Sequence, residues 1–138
     1  MDWNEKVVWI TGASSGIGQE LARQVALKGA LVVLSSRNEQ ALCDVQEKLF
    51  QSEKHLVLPL DLENGDFSNA VLTVQEKYGR IDVLVNNGGV SQRSSVNETP
   101  ISVDRKIMEI NYTSDEVDEV WVIVWEGRWL LAGITIND

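Results

Sequence analysis

The sequence has little cysteine and little positive charge, and each shortage excludes a class of protein. A single cysteine, Cys43, among 138 residues cannot form an internal disulfide or a multi-cysteine zinc site. Lysine and arginine number 12 against 21 aspartate and glutamate residues, so the formal net charge is -9 at pH 7. Nucleic acids and anionic membranes would repel such a chain, and neither is expected as a partner.

Long apolar runs and metal-ligand clusters are also absent from the sequence. No stretch approaches the roughly 18 uninterrupted apolar residues of a membrane span, and residues 1–6 are too polar for a signal peptide. The sequence therefore predicts no membrane segment and a cytoplasmic location. The only histidine, His55, has no partner at metal-ligand spacing, which predicts a surface or strand-edge residue and no metal site.

Apolar runs alternate with helical patterns along most of the chain. Runs rich in β-branched residues predict four buried strands, at 7–11, 31–35, 56–60 and 81–85. Apolar residues at helical spacing predict helices over 17–28, 39–49, 67–78 and 100–111, with Gly29 as the stop of the first helix and Asn38 as the N-cap of the second. The alternation predicts a three-layer α/β Rossmann fold, with a parallel sheet in the strand order 3-2-1-4 and right-handed crossovers.

A glycine-rich loop joins the first predicted strand to the first predicted helix. The glycines at 12, 16 and 18 would allow a tight turn, a close backbone approach to a pyrophosphate and close helix–strand packing. The free amides of the helix N-terminus would then face the phosphates. The predicted dinucleotide-binding residues in this loop are Thr11, Gly12, Ser14, Ser15, Gly16, Ile17 and Gly18.

The end of the second predicted strand bears on which nicotinamide dinucleotide is bound. An acid at this position would hold the ribose 2′-hydroxyl of NAD, but Ser36 and Arg37 occupy it. A guanidinium beside a hydroxyl suits a 2′-phosphate. The sequence therefore predicts NADP as the cofactor in preference to NAD.

These motifs resemble the short-chain dehydrogenase/reductase family over roughly residues 5–113. The resemblance includes the three-residue spacing between Gly12 and Gly16, and it implies an oxidoreductase lineage that reduces carbonyls or oxidises alcohols. It also implies an adenine contact at Asp61 and Leu62. Residues 86–94 look most like the subgroup called dehydrogenase/reductase member 7, which is often membrane-associated. The cofactor contacts implied after the fourth strand are Asn87, Gly88 and Gly89, where Gly88 stands in place of the family's usual alanine.

The residues that carry hydride chemistry in this family are not found in the sequence. Asn111 matches the asparagine of the catalytic tetrad, but the family's acid is a tyrosine followed four positions later by lysine. Tyr78 is followed at that distance by Asp82, and Tyr112 by Glu116. A neighbouring acid would disfavour phenolate, whereas a lysine lowers the tyrosine pKa towards working pH. The resemblance therefore predicts a truncated family member that is inactive as this chain alone.

The character of the sequence changes after Tyr112. The predicted division is a dinucleotide-binding half, 1–113, and an acidic, tryptophan-rich tail, 114–138, packed on or beside the sheet edge. The tail's β-branched content predicts strands over 120–125 and 129–136 that form a hairpin, and the first could extend the sheet as a fifth parallel strand. The three tail tryptophans also fit one face of a helix, as they fall at 121, 125 and 129.

Three functions are compatible with these patterns. The chain could belong to an NADP-dependent oxidoreductase that works in a longer form or with a partner. It could be a non-catalytic module that binds NADP(H). It could also be a truncated product with no function of its own. The patterns leave the substrate and the oligomeric state open.

Overall fold

Six strands form one sheet in the computed structural model, which describes residues 2–88, 121–125 and 128–136. The strand order is β3-β2-β1-β4-β6-β5, and β1 to β4 run parallel. This confirms the predicted order 3-2-1-4 and the Rossmann-like α/β fold. The elements, in chain order, are β1 (Val7–Thr11), α1 (Gly16–Leu27), β2 (Leu31–Ser35), α2 (Glu39–Glu47), a short 3-10 helix (Ser52–Lys54), β3 (Leu56–Val57), α3 (Phe67–Tyr78), β4 (Val83–Asn86), β5 (Trp121–Trp125) and β6 (Arg128–Ile136).

The central strand β1 is buried on both faces, as its continuous apolar sequence predicts. Successive side chains of a strand point to opposite faces, so Val8 and Ile10 join one core cluster while Val7 and Trp9 join another. The first cluster contains the buried apolar side chains of α1 and α2, and the second contains Ala70 and others from α3. The sheet therefore lies between two helical layers, and each buried valine or isoleucine contributes about 1.5 to 3 kcal/mol of transfer free energy.

Local sequence signals set the ends of the helices. Asn38 precedes α2, and its side chain accepts a hydrogen bond from the N–H of Ala41 at 3.1 Å. Asp66 caps α3 in the same way, and Gly79 ends that helix with a φ of 77°. Gly29, with a φ of 88°, follows α1, so the predicted stop is confirmed.

The third strand is shorter than predicted, since β3 covers Leu56–Val57 and not 56–60. Pro59 has no N–H to donate to the sheet. The N–H groups of Leu58 and Leu60 still donate to β2 and its extension, at 2.9 Å each, with the carbonyls of Leu34 and Ser36 as acceptors. The chain therefore follows β2 as far as residue 60, although the regular ladder ends earlier.

The tail contributes a β-hairpin to the sheet. Strands β5 and β6 pair antiparallel, with Ile123 opposite Leu130, so the strand prediction is confirmed in place of a helix. The prediction that 120–125 extends the sheet directly as a fifth parallel strand is wrong in its place: β5 runs in the same direction as β4, but β6 lies between the two strands. It is β6 that pairs with β4, antiparallel, with Val85 opposite Ile134, and β5 lies outside it. Two residues join β5 to β6, and so short a link permits only an antiparallel pair. The helix predicted over 100–111 lies outside the described residues.

His55 lies directly before the edge strand β3, in keeping with the predicted strand-edge position, but it is not at the surface, because it is only 3% exposed. Its Nδ1 accepts a hydrogen bond from the N–H of Val32 at 3.1 Å, and its Nε2 lies 2.8 Å from the carbonyl oxygen of Phe50. An Nδ1 that accepts and an Nε2 that donates define a neutral ring. Burial is the main reason why the pKa of His55 lies below its ordinary value.

None of the described helices has both the length and the apolar character that a membrane span needs.

Candidate functional site

A cleft of about 540 Å³ lies at the carboxyl ends of β1, β2 and β4. Open parallel sheets bind ligands at this edge, where the strand order reverses direction. The loops that follow β1, β2 and β3 supply most of the cleft surface. The lining residues are Thr11, Gly12, Ser14, Ser15, Ser35, Ser36, Arg37, Asn38, Leu60, Asp61, Leu62, Glu63 and Gly88.

The glycine loop after β1 has no room for side chains at two of its glycines. Gly12 has a φ of 64°, and a Cβ there would lie 2.9 Å from the Cα of Gly88. A Cβ on Gly18 would collide with the carbonyl oxygen of Gly12 and lie 2.6 Å from Nδ2 of Asn87. Gly16 has a φ of 57°, but a Cβ there would have none of the described atoms within 4 Å, so this position faces open space. Close packing therefore explains Gly12 and Gly18, and backbone conformation explains Gly16.

Hydrogen bonds join this loop to the loop after β4. The hydroxyl of Thr11 donates to the carbonyl of Val85 at 3.3 Å and accepts from the N–H groups of Asn87 and Gly88, at 3.1 Å and 2.9 Å. The Asn87 side chain donates through Nδ2 to the carbonyls of Thr11 and Gly12, at 3.2 Å each. These bonds fix the position of both loops before any ligand is bound.

The start of α1 is suited to an anion. Ser15 is its N-cap residue, yet the Ser15 side chain makes no capping hydrogen bond, and the first turn contains no acidic residue. The first amides of a helix have no partner within the helix, so those of α1 remain available to a phosphate. Ser14 and Ser15 also line the cleft with hydroxyl groups. Glycines without room for a Cβ, free amides and hydroxyls fit the diphosphate of a nicotinamide dinucleotide.

The other end of the cleft contains one basic and two acidic residues. Arg37 is exposed directly after Ser36, where β2 ends. Asp61 accepts a hydrogen bond from the N–H of Glu63 at 2.9 Å, and this bond is the main reason why the pKa of Asp61 lies below its ordinary value. The charge of Arg37 lowers the Asp61 pKa further, by a smaller amount. Asp61 is therefore ionised at neutral pH and lies within electrostatic reach of Arg37.

The structure brings most of the predicted site residues together. Those that line the cleft are Thr11, Gly12, Ser14, Ser15, Ser36, Arg37, Asp61, Leu62 and Gly88. Gly16, Gly18 and Asn87 support the loops without lining the cleft, and the Ile17 side chain is 65% exposed. The predicted residues Gly89 and Asn111 lie outside the described part of the chain.

Sequence reasoning missed four cleft residues, namely Ser35, Asn38, Leu60 and Glu63. Ser35 is the last residue of β2, and Leu60 and Glu63 flank the predicted Asp61–Leu62 pair. These three residues adjoin predicted site residues, so the same sequence motifs could have identified them as well. Asn38 was recognised only as a helix cap, although it directly follows Arg37.

Tyr78 lies at the opposite edge of the sheet from the cleft. It is near the end of α3, which leads into the amino end of β4, and its hydroxyl donates to the carbonyl of Lys54 at 2.6 Å. Burial raises the pKa of Tyr78 to about 12. This phenol is therefore both distant from the glycine loop and held in its neutral form.

Comparisons with known proteins place the chain in a family. A human protein named dehydrogenase/reductase SDR family member 7 is 48% identical over 114 residues, which cover 78% of this chain and 34% of that protein. The chain thus spans about a third of the length of the curated relatives that it matches.

Solved structures share the fold. A 3-ketoacyl-(acyl-carrier-protein) reductase from Brucella melitensis, complexed with NADH, matches with a TM-score of 0.74 and 28% identity, over 81% of this chain and 46% of that one. The Pseudomonas aeruginosa RhlG/NADP complex matches with a TM-score of 0.72 and 31% identity, over 80% and 44%. The family model for short chain dehydrogenases matches residues 6–115. The chain belongs to the short-chain dehydrogenase/reductase family.

Proposed function

We propose that this chain binds a nicotinamide dinucleotide, prefers NADP to NAD, and does not catalyse hydride transfer by itself. The observation that carries the proposal is the cleft that joins the glycine loop to Ser36 and Arg37. The diphosphate would lie against the first turn of α1, and the adenosine ribose would lie towards the end of β2. When bound, the nicotinamide ring supplies or accepts a hydride.

The preference for NADP rests on the residues at the end of β2. Both NADH and NADP occur in solved relatives, so family membership alone leaves the choice open. Residues 36–38 contain a hydroxyl, a guanidinium and an amide, and no carboxylate that could accept the 2′-hydroxyl of NAD. A guanidinium binds a phosphate through charge-assisted hydrogen bonds, which are about twice as strong as neutral ones.

The proposed lack of catalysis rests on proton transfer. A general acid must lie within hydrogen-bond reach of the reacting oxygen and have a pKa near working pH. Tyr78 meets neither condition, because its hydroxyl is bonded to Lys54 at the far edge and burial raises its pKa to about 12. Tyr112 has Glu116 four residues on, where the family has lysine. Without such an acid, a rate contribution of roughly a hundred- to ten-thousand-fold is lost.

The hairpin supports the same proposal. A doubly wound sheet with the order 3-2-1-4-5-6 has a fifth parallel strand next to the fourth. In this chain the antiparallel strand β6 occupies that place along β4. The pairing edge of β4 is therefore not available to the strand that would extend the fold in the usual direction.

The test is a titration of the 138-residue chain with NADPH and NADH, followed by tryptophan quenching, with a carbonyl-reduction assay on the same sample. We expect tighter binding of NADPH and no turnover above background. In Arg37→Asp, affinity for NADPH should fall by about ten- to a hundredfold, since a hydrogen bond to a charged group contributes about 1.5 to 3 kcal/mol. Affinity for NADH should not fall, because the new carboxylate can accept a hydrogen bond from the 2′-hydroxyl of NAD.

The matched control is Lys28→Asp, which makes the same change in charge at an exposed position after α1, at the amino-end edge of the sheet. Equal losses for both nucleotides in Arg37→Asp would refute the 2′-phosphate contact. No binding of either nucleotide would refute the proposed function, and turnover by the wild-type chain would refute the argument from the missing acid.

A further inference from the structure

Strand β5 is the outermost strand at one end of the sheet order. Among the described strands it pairs with β6 alone. Its five residues have the sequence WVIVW, which contains no charged residue and no proline. Charged residues and prolines are the usual means by which an edge strand avoids pairing with another chain. The sequence of β5 is therefore suited to pairing with a further strand.

The length of the hairpin loop determines which backbone groups of β5 point away from β6. Two residues separate Trp125 from Arg128, and in a loop of this length the turn hydrogen bond joins the two flanking residues. Hydrogen-bonded and non-hydrogen-bonded pairs alternate along an antiparallel ladder, so the first, third and fifth residues of β5 bond to β6. The N–H and carbonyl groups of Val122 and Val124 therefore point outwards.

The sequence of β5 reads the same in both directions, with Ile123 at its centre. When two such strands pair antiparallel in that register, Ile123 lies opposite Ile123 of the other copy, and Val122 lies opposite Val124. The outward groups of these valines then form four hydrogen bonds, and each tryptophan position is opposite another tryptophan. A twofold contact uses the same patch on both copies, so this one self-complementary strand is sufficient to form it.

We propose that β5 is a dimerisation surface, on which a second copy of this chain pairs through its own β5 and joins the two six-stranded sheets into one. The strand at the other end of the sheet order, β3, covers only Leu56–Val57, and Pro59 close behind it has no N–H to donate. Assembly therefore stops at two copies. The net charge of -9 on each chain opposes association, so salt should strengthen the dimer.

The first experiment measures the mass of the full chain in solution by sedimentation equilibrium over a range of concentrations. We expect twice the chain mass of 15.4 kDa, with a dissociation constant that falls as salt rises. Val122→Pro removes an outward N–H and no bond to β6, and an edge strand tolerates proline at such a position. The dimer loses two of its four hydrogen bonds, so the dissociation constant should rise by about ten- to a hundredfold.

A pair of charge variants tests the register of the contact. Ile123→Lys and Ile123→Glu each place like charges opposite one another at the twofold axis, so each variant alone should be a monomer. Mixed in equal amounts, the two variants should form a one-to-one dimer, because opposite charges are then paired across the axis. Mixing would not restore a variant that had merely unfolded, so recovery of the dimer identifies the contact.

The matched controls are Leu72→Lys and Leu72→Glu, at an exposed apolar position on α3. Both should keep the dissociation constant of the wild-type dimer. Nucleotide affinity should be the same in all variants, since the cleft lies at the carboxyl ends of β1, β2 and β4. Four results would each refute this inference: a wild-type chain that is monomeric at every concentration, a mass above two copies, a dimer that survives in the separate Ile123 variants, or a mixture of them that stays monomeric.

Discussion

The carboxyl ends and the amino ends of the parallel strands form two opposite sides of the sheet, the carboxyl-end edge and the amino-end edge. The two contain different kinds of polar group. At the carboxyl-end edge, glycines and backbone groups form the loops, and the neutral Thr11 hydroxyl and Asn87 amide hold them together. At the amino-end edge, Asp82 accepts hydrogen bonds from the N–H of Val7 at 2.8 Å and from Nε of Arg80 at 2.9 Å. The buried ring of His55 also lies at this second edge.

Because of this difference, we expect the carboxyl-end edge to serve ligand binding and the amino-end edge to serve stability. The carboxyl-end edge keeps amides, hydroxyls and one guanidinium facing a cleft, so its polar groups can exchange water for a ligand. At the amino-end edge the polar groups hydrogen-bond to one another, and the Asp82 side chain is only 14% exposed. Substitutions at the first edge should therefore change nucleotide affinity, and those at the second should change stability alone.

The largest effect is expected for Gly18→Ala, at the carboxyl-end edge. Its new Cβ would collide with the carbonyl oxygen of Gly12, a backbone atom that cannot rotate away. We expect a loss of about 2 to 3 kcal/mol in the free energy of unfolding, measured by urea denaturation. Displacement of the loop should also weaken NADPH by more than about tenfold, or about 1.4 kcal/mol.

Gly16→Ala is the matched comparison for that substitution. None of the described atoms lies within 4 Å of the position that its Cβ would take, so only the φ of 57° opposes a side chain. The expected cost is about 1 kcal/mol. Equal losses of stability in the two variants would show that close packing at Gly18 is not what fixes the loop.

A smaller effect is expected for Asp82→Ala, at the amino-end edge. The substitution leaves the N–H of Val7 and the guanidinium of Arg80 without their shared acceptor. The free energy of unfolding should fall by about 2 kcal/mol, while NADPH affinity below the unfolding transition stays unchanged. Asp44→Ala, at an exposed site on α2, should change stability by less than about 0.5 kcal/mol. A loss of nucleotide affinity in Asp82→Ala would contradict the separation of the two edges.

The smallest effect is the pH dependence that His55 contributes. Its pKa is lowered in the folded chain and returns to about 6.5 on unfolding, so the unfolded chain binds the proton more readily. The stabilisation is fully present above that unfolded value and is lost as the pH falls towards the folded pKa. The slope in this window is at most about 1.4 kcal/mol per pH unit.

His55→Asn removes the titrating ring and retains an oxygen that can accept from Val32. We expect the stability difference between wild type and this variant to shrink as the pH falls from about 7.5 to 5, in denaturant melts at each pH. A difference that is constant across that range would mean that His55 is not held neutral by the fold.

Much of the fold was predictable because its signals are local. The helix over 67–78 was predicted from the spacing of its apolar residues, and the structure shows the same bounds, with Asp66 and Gly79 at its two ends. The parallel order of β1 to β4 followed from alternating strands and helices. The glycine loop was recognisable because it lies between a strand and a helix, where backbone amides face the cleft.

The errors concern contacts between residues that are distant in the sequence. The sequence pattern predicts His55 at the surface or at a strand edge; the structure places it beside the edge strand β3 but buried, where its ring accepts a hydrogen bond from the N–H of Val32, 23 residues earlier. The hairpin was predicted from its own residues, but its pairing partner was not, because the antiparallel contact of β6 with β4 depends on which edge remains open. Asn38 was identified as a cap from its neighbours, whereas its place in the cleft depends on how β2 lies beside β1.

The sequence by itself determined the order of strands and helices, the glycine loop and the absence of an acid after β2, because each depends on neighbouring residues and on backbone conformation. Only the tertiary structure decided which side chains share the cleft, which titratable groups are buried and how the tail meets the sheet. Those outcomes depend on packing between segments that are distant in the sequence, such as the loops that contain Thr11 and Gly88, which are 77 residues apart. Local sequence patterns do not determine which of these distant segments come into contact.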